Sequence, residues 1–159
     1  MLRQLSEVST ITIHAPKAAV LPVVHDIKSI ERFEVKADHV NVEPIDGRKG
    51  TYKVRGHFAG VPWRREFAYF LNDDGFYSRD AHSSGTDVTV QGGFIVQATG
   101  DDECTLIHYE VYNLWPWLVP LKPLIRAYLK WSMRKELRDI RTAVVQRFEA
   151  TERKTVTAA

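Results

Sequence analysis

The chain has 159 residues, 44% apolar and 26% charged, a composition that suits one domain and excludes intrinsic disorder for its body. Its single cysteine, Cys104, excludes an internal disulfide framework, a CxxC redox pair and a cysteine-rich zinc site, so a reducing, cytoplasmic setting is expected. A net charge of +2 gives no electrostatic case for nucleic acid, and no such partner is expected.

Residues 1–10 lack the apolar core of a signal peptide, and no stretch reaches the run of about 20 apolar residues that a spanning helix needs. No repeat, low-complexity run or linker divides the chain. A single unit over residues 1–159 is expected, with its core at about 6–148 and a frayed tail at 151–159.

Val8 to His14 alternates with period two and predicts a first strand. Ala15-Pro16 ends it, and Ala18, Ala19, Val20, Val23 and Val24 predict a short helix. A second short helix is expected over Ser29 to Phe33, with Ser29 as N-cap. Six further strands follow: Val35–Pro44, Thr51–Phe58, Trp63–Leu71, Phe76–His82, Asp87–Gln97 and Cys104–Leu114. Asp-Gly and other glycine-bearing turns separate most of them, the signature of consecutive hairpins. Gly92-Gly93 reads as a bulge that bends its strand or as part of a cavity wall.

From Pro120 to Phe148 the period changes. Leu121, Ile125, Leu129, Met133, Leu137, Ile140, Val144 and Phe148 step by three or four and predict one long amphipathic helix. Such a stripe needs a whole sheet to cover it. Lys122, Arg126, Lys130, Arg134 and Arg138 form a basic ridge on the same helix. That ridge is either a solvated face or, beside a second apolar stripe of Leu124, Tyr128 and Trp131, a surface for anionic membrane or a partner.

The order strand, two short helices, six meander strands and long helix resembles the helix-grip fold of the START-like, SRPBCC superfamily. The stretches TITIHAPKAAVLPVVHDIKSIERF and CTLIHYEVYNLWPWLVPLKPLIRAYL carry the likeness, nearest in style to the polyketide cyclase/dehydrase and coenzyme Q-binding branches. Where that family often has Trp near the end of the second helix, this chain has Phe33. The resemblance implies an α+β fold, a seven-stranded curved antiparallel sheet around the C-terminal helix. It also implies an apolar cavity between them that takes a lipid, polyketide or quinone-like molecule.

Trp63, Phe67, Tyr69, Phe94, Tyr109, Val111, Trp115, Trp117, Leu121, Ile125 and Tyr128 are the expected lining, either a ligand surface or plain core. The loop at 114–120, with two tryptophans around Pro116, is the expected gate. If the protein is an enzyme, the resemblance implies an aromatase/cyclase or dehydratase in which Arg65, Tyr69 and His82 polarise a carbonyl. His108, Glu110 and Tyr112 share the other face of the last strand, which alternation assigns to solvent. His108 and Glu110 alone lack a third metal ligand, so no metal is expected, and with no P-loop, GxGxxG, HExxH or GxSxG, no cofactor either.

Overall fold

In the computed structural model, which describes residues 3–81 and 90–157 (152–157 as backbone only), an open sheet curls around one long helix. The strands are β1 (Gln4–Ile13), β2 (His39–Pro44), β3 (Lys49–Phe58), β4 (Val61–Asn72), β5 (Gly75–Asp80), β6 (Val90–Gly100) and β7 (Glu103–Asn113). The helices are α1 (Lys17–His25), α2 (Ile30–Phe33) and α3 (Lys122–Thr157). Short 3-10 segments, Ile27–Ser29 and Pro116–Leu121, lead into α2 and α3.

The sheet order is β1-β7-β6-β5-β4-β3-β2, antiparallel at every pairing. Hairpin follows hairpin from β2 to β7. The first strand then closes onto the last, with Leu5 opposite Tyr112 and Ile13 opposite Cys104. This is the expected seven-stranded meander with its helical cap. The stripe on α3 supplies Leu129, Met133, Leu137, Ile140 and Val144 to the core, each almost fully buried. They pack in two groups. Leu5, Leu114, Leu129 and Met133 form the smaller one, and Leu137, Ile140 and Val144 join the main core with α1 and the inner sheet face.

Three local expectations are corrected. The segment before β2 does not pair from Val35, because its backbone turns around the side chain of Glu136: Val35 N–H donates to Glu136 Oε1 at 3.2 Å. The register shift between β6 and β7 falls at Ala98–Gly100, so Gly92-Gly93 is not the bulge. Glycine at 93 serves close approach instead, since a Cβ there would stand 2.0 Å from the Phe76 carbonyl oxygen. The third correction is the length of α3, which continues past the expected end at Phe148 to Thr157. Thr151 Oγ1 donates back to the Arg147 carbonyl within that last stretch.

Candidate functional site: a cavity with a charged floor

Between α3 and the inner face of β3–β7 lies a cavity of about 440 Å³. Its walls are mostly apolar. Val54, Phe67, Phe76 and Phe94 come from the sheet, while Leu114, Leu118, Leu121 and Ile125 come from the approach to α3 and its first turn. Trp117 and Val61 stand at the rim, 68% and 65% exposed. A ligand of ordinary drug size fits this volume.

One end of the cavity is different. Glu34, Lys36, His108, Glu110 and Tyr112 line it together. Lys36 is only 2% exposed, and its ammonium lies 2.9 Å from Glu110 Oε1 and 3.0 Å from Glu136 Oε1. Glu34 is farther from it, at 3.6 Å. Tyr112 donates to Glu110 Oε2 at 2.8 Å. The His108 ring stacks on Phe94 with centroids 4.2 Å apart. It lies between two carboxylates, Nε2 3.4 Å from Glu110 and Nδ1 3.3 Å from Glu136. The last two atoms, His108 Nδ1 and Glu136 Oε2, are too poorly aligned for a hydrogen bond, and neither has another such partner among the described residues.

The local chain path builds this floor. Cys104, Leu106, His108 and Glu110 all alternate inward along β7. Lys36 is held by its backbone: Trp63 Nε1 donates to its carbonyl at 2.9 Å. Gly56 packs so tightly beneath it that a Cβ would come within 1.9 Å of that oxygen. Ser132 and Glu136 come from one side of α3, a helical turn apart, inside the buried stripe.

Burial disfavours charge on all these groups, and the neighbours decide which keep it. Burial alone would strip the proton from Lys36, but Glu110, Glu136 and Glu34 outweigh it and hold the ammonium well above its usual range. Burial also raises Glu110, yet Lys36 and then His108 hold its carboxyl far below the usual carboxylate value. Glu34 has no such support. Desolvation, with Glu136 and Glu110 adding to it, overcomes the pull of Lys36 and pushes its carboxyl up to about 7. Tyr112 is raised by burial and by Glu110.

Of the expected lining, Trp63, Phe67, Phe94, Trp117, Leu121 and Ile125 reach the cavity. The others do not. Tyr109 and Val111 are on the outer face of β7, where Tyr109 packs against Tyr77. The inward face carries His108, Glu110 and Tyr112, the reverse of the expected assignment, because Cys104 and Leu106 set the buried parity of the strand. Tyr69 is buried away from the cavity, beside Tyr52 and over Gly50. Trp115 is half-exposed, and Tyr128 packs outside between Phe58 and Trp131.

Of the three residues suggested for catalysis, Arg65 lines the cavity, but its guanidinium donates to the buried Asp80 at 3.0 Å. Tyr69 does not accompany it, and His82 lies outside the described residues. Sequence reasoning missed Glu34, Lys36 and Glu136. The signal for Glu136 was present, a carboxylate between Met133 and Leu137 on the apolar stripe of α3. Lys36 and Glu34 had no periodic signal, since they sit in irregular backbone between α2 and β2.

Glu136 also supplies the third group that the pair of His108 and Glu110 lacked: ligand atoms of all three lie within 4.8 Å of one another. The Lys36 ammonium already stands between the two carboxylates, so a metal ion there would compete with a fixed cation. The basic ridge on α3 is partly occupied as well. Lys122 donates to the Gln4 carbonyl, Arg126 pairs with Glu7, and Lys130 lies 3.9 Å from Glu7. Among the described residues, no helix is long and apolar enough to cross a membrane.

No protein-family model matches the sequence, and no curated protein matches it either. Solved structures do match in shape. The ZhuI aromatase/cyclase from Streptomyces sp. R1128 superposes with a TM-score of 0.70 at 13% identity, over 91% of this chain and 96% of its own. A START superfamily protein from Mycobacterium smegmatis gives 0.70 at 11% identity, over 89% and 97%. Norcoclaurine synthase from Thalictrum flavum, in complex with dopamine and hydroxybenzaldehyde, gives 0.62 at 13% identity, over 90% and 87%. Sheet order, helix placement and these superpositions agree: the chain has the helix-grip fold that these solved structures share.

Proposed function

We propose that the protein binds an apolar small molecule in the cavity between α3 and the sheet, with entry past Trp117 and Leu121. The observation that carries this reading is the form of the void: about 440 Å³, apolar walls and polar groups gathered at one end. Such a site binds the body of a ligand by burying apolar area, at about 25 cal/mol per Å², and orients it by a few polar contacts. The 3-10 segment Pro116–Leu121 is the gate, since it carries Trp117 at the rim and Leu121 on the wall and packs on the start of α3. Structures of the same fold hold small aromatic molecules, as norcoclaurine synthase does with hydroxybenzaldehyde.

The uncharged fluorophore N-phenyl-1-naphthylamine tests the reading. Its emission rises on binding to the wild type, and Val54→Trp, which fills the cavity from its wall, removes the rise while circular dichroism stays unchanged. Equal binding by the folded Val54→Trp variant puts the probe elsewhere and sinks the proposal.

A second reading, an enzyme of the cyclase or dehydratase kind, rests on one observation. Glu34 faces the cavity with its carboxyl near 7, where a general acid or base at neutral pH works best. Arg65 also lines the cavity, with its guanidinium donating to Asp80. Aryl β-hydroxyketones test it: Glu34 takes the α-proton and passes it to the departing hydroxyl, which leaves as water, and the conjugated enone absorbs in the near ultraviolet. Turnover that persists in Glu34→Gln rules this role out.

A further inference from the structure

We infer that the ligand of this cavity carries a protonated amine, received by Glu34, on an apolar alkyl or arylalkyl body. The inference rests on the cavity being the binding site and names the class of molecule it takes.

The argument is an account of partners at the polar end. Glu110 has both oxygens engaged, Oε1 by Lys36 and His108 and Oε2 by Tyr112. Glu136 lies behind the wall, where Oε1 accepts from Val35 N–H and Lys36. Glu34 lines the cavity, and among the described residues its one ion-pair partner is Lys36 at 3.6 Å, beyond a good hydrogen bond. Among the described residues, the lysine and the arginine that reach the cavity are committed elsewhere, Lys36 to Glu110 and Glu136, Arg65 to Asp80. Among the described residues, an anionic headgroup therefore meets two carboxylates, Glu34 and Glu110, with Glu136 behind them and no uncommitted lysine or arginine. A cationic headgroup meets a carboxylate short of donors at one end of a mostly apolar cavity.

The groups that face Glu34 are Lys36 beside it, Tyr52 on β3, Arg65 on β4, His108, Glu110 and Tyr112 on β7, and Glu136 on α3. With the carboxyl near 7, an ammonium ligand selects its ionised form, so binding releases a proton in neutral solution. Amine affinity then rises about tenfold between pH 6 and pH 8, the ratio of the ionised fractions.

The test is displacement of N-phenyl-1-naphthylamine from the full chain by 4-phenylbutylamine, 4-phenylbutanol and 4-phenylbutyrate, three headgroups on one body. The expected order is amine, alcohol, acid, with the amine ahead of the alcohol by about tenfold, as for a charge-assisted hydrogen bond. In Glu34→Gln the amine-to-alcohol ratio falls toward one and loses its pH dependence. The wild-type series decides the matter even if that variant fails to fold. Alcohol or acid binding as well as the amine, while the probe is displaced, overturns the inference and leaves the cavity reading intact. Absence of probe binding overturns the cavity reading itself, and the inference with it.

Discussion

At Lys36 a single ammonium stands among buried carboxylates, and its removal is the most damaging single change the site offers. Lys36→Met leaves Glu110 and Glu136 without their cation in the interior, a loss of about 3–5 kcal/mol for a broken buried pair. Urea unfolding at neutral pH reads it, and adding Glu110→Gln and Glu136→Gln to the same chain restores most of the loss. Glu34 gives an opposite and gentler signature. Between about 4.5 and about 7 the folded chain keeps its proton and the unfolded chain does not, so stability falls as pH rises through that window. Glu34→Gln flattens the slope, worth on the order of 3 kcal/mol across the window, as followed by thermal melts at several pH values. Glu110, depressed rather than raised, contributes stability that is lost in acid, below the ordinary carboxylate range. At this scale the sequence was least informative. Alternation divides Tyr109 from His108 but does not say which face is inside, and the polar face of β7 proved to be the buried one.

The elements themselves were far more legible. Period two, glycine-bearing turns and the switch to a three-and-four step were enough to place β1, the meander and α3, because each pattern answers to one buried face. What escaped was irregular backbone. The segment at 35–38 read as the start of a strand running to Pro44, yet its path is set by contacts with Glu136, some hundred positions away. Packing between strands makes its own prediction. Gly93→Ala forces a methyl against the Phe76 carbonyl, and equilibrium denaturation should show about 1–3 kcal/mol of destabilisation. The segment Pro116–Leu121 makes another. Trp117→Ala, at an exposed rim position, changes stability by about 0.5 kcal/mol or less. It nonetheless raises the dissociation rate of the fluorophore in stopped-flow measurements, as removal of a gate side chain should.

On the scale of the molecule, the cavity exists because α3 meets the sheet along β1 and β7 and leaves the inner faces of β3 to β6 partly uncovered. The order of elements foretold that architecture; the volume left between sheet and helix depended on curvature, which no periodicity encodes. The floor of the cavity is also assembled from distant parts of the chain. Lys36 and Glu136 are separated by 100 positions, and β1 finds its partner only in β7. Closing such long loops makes folding slow relative to helical bundles. It has a further result during synthesis. Until residue 136 has left the ribosome, Lys36 has no α3 carboxylate to meet and the sheet has no cap. A nascent chain therefore lacks the helical wall of the cavity until translation has passed that point.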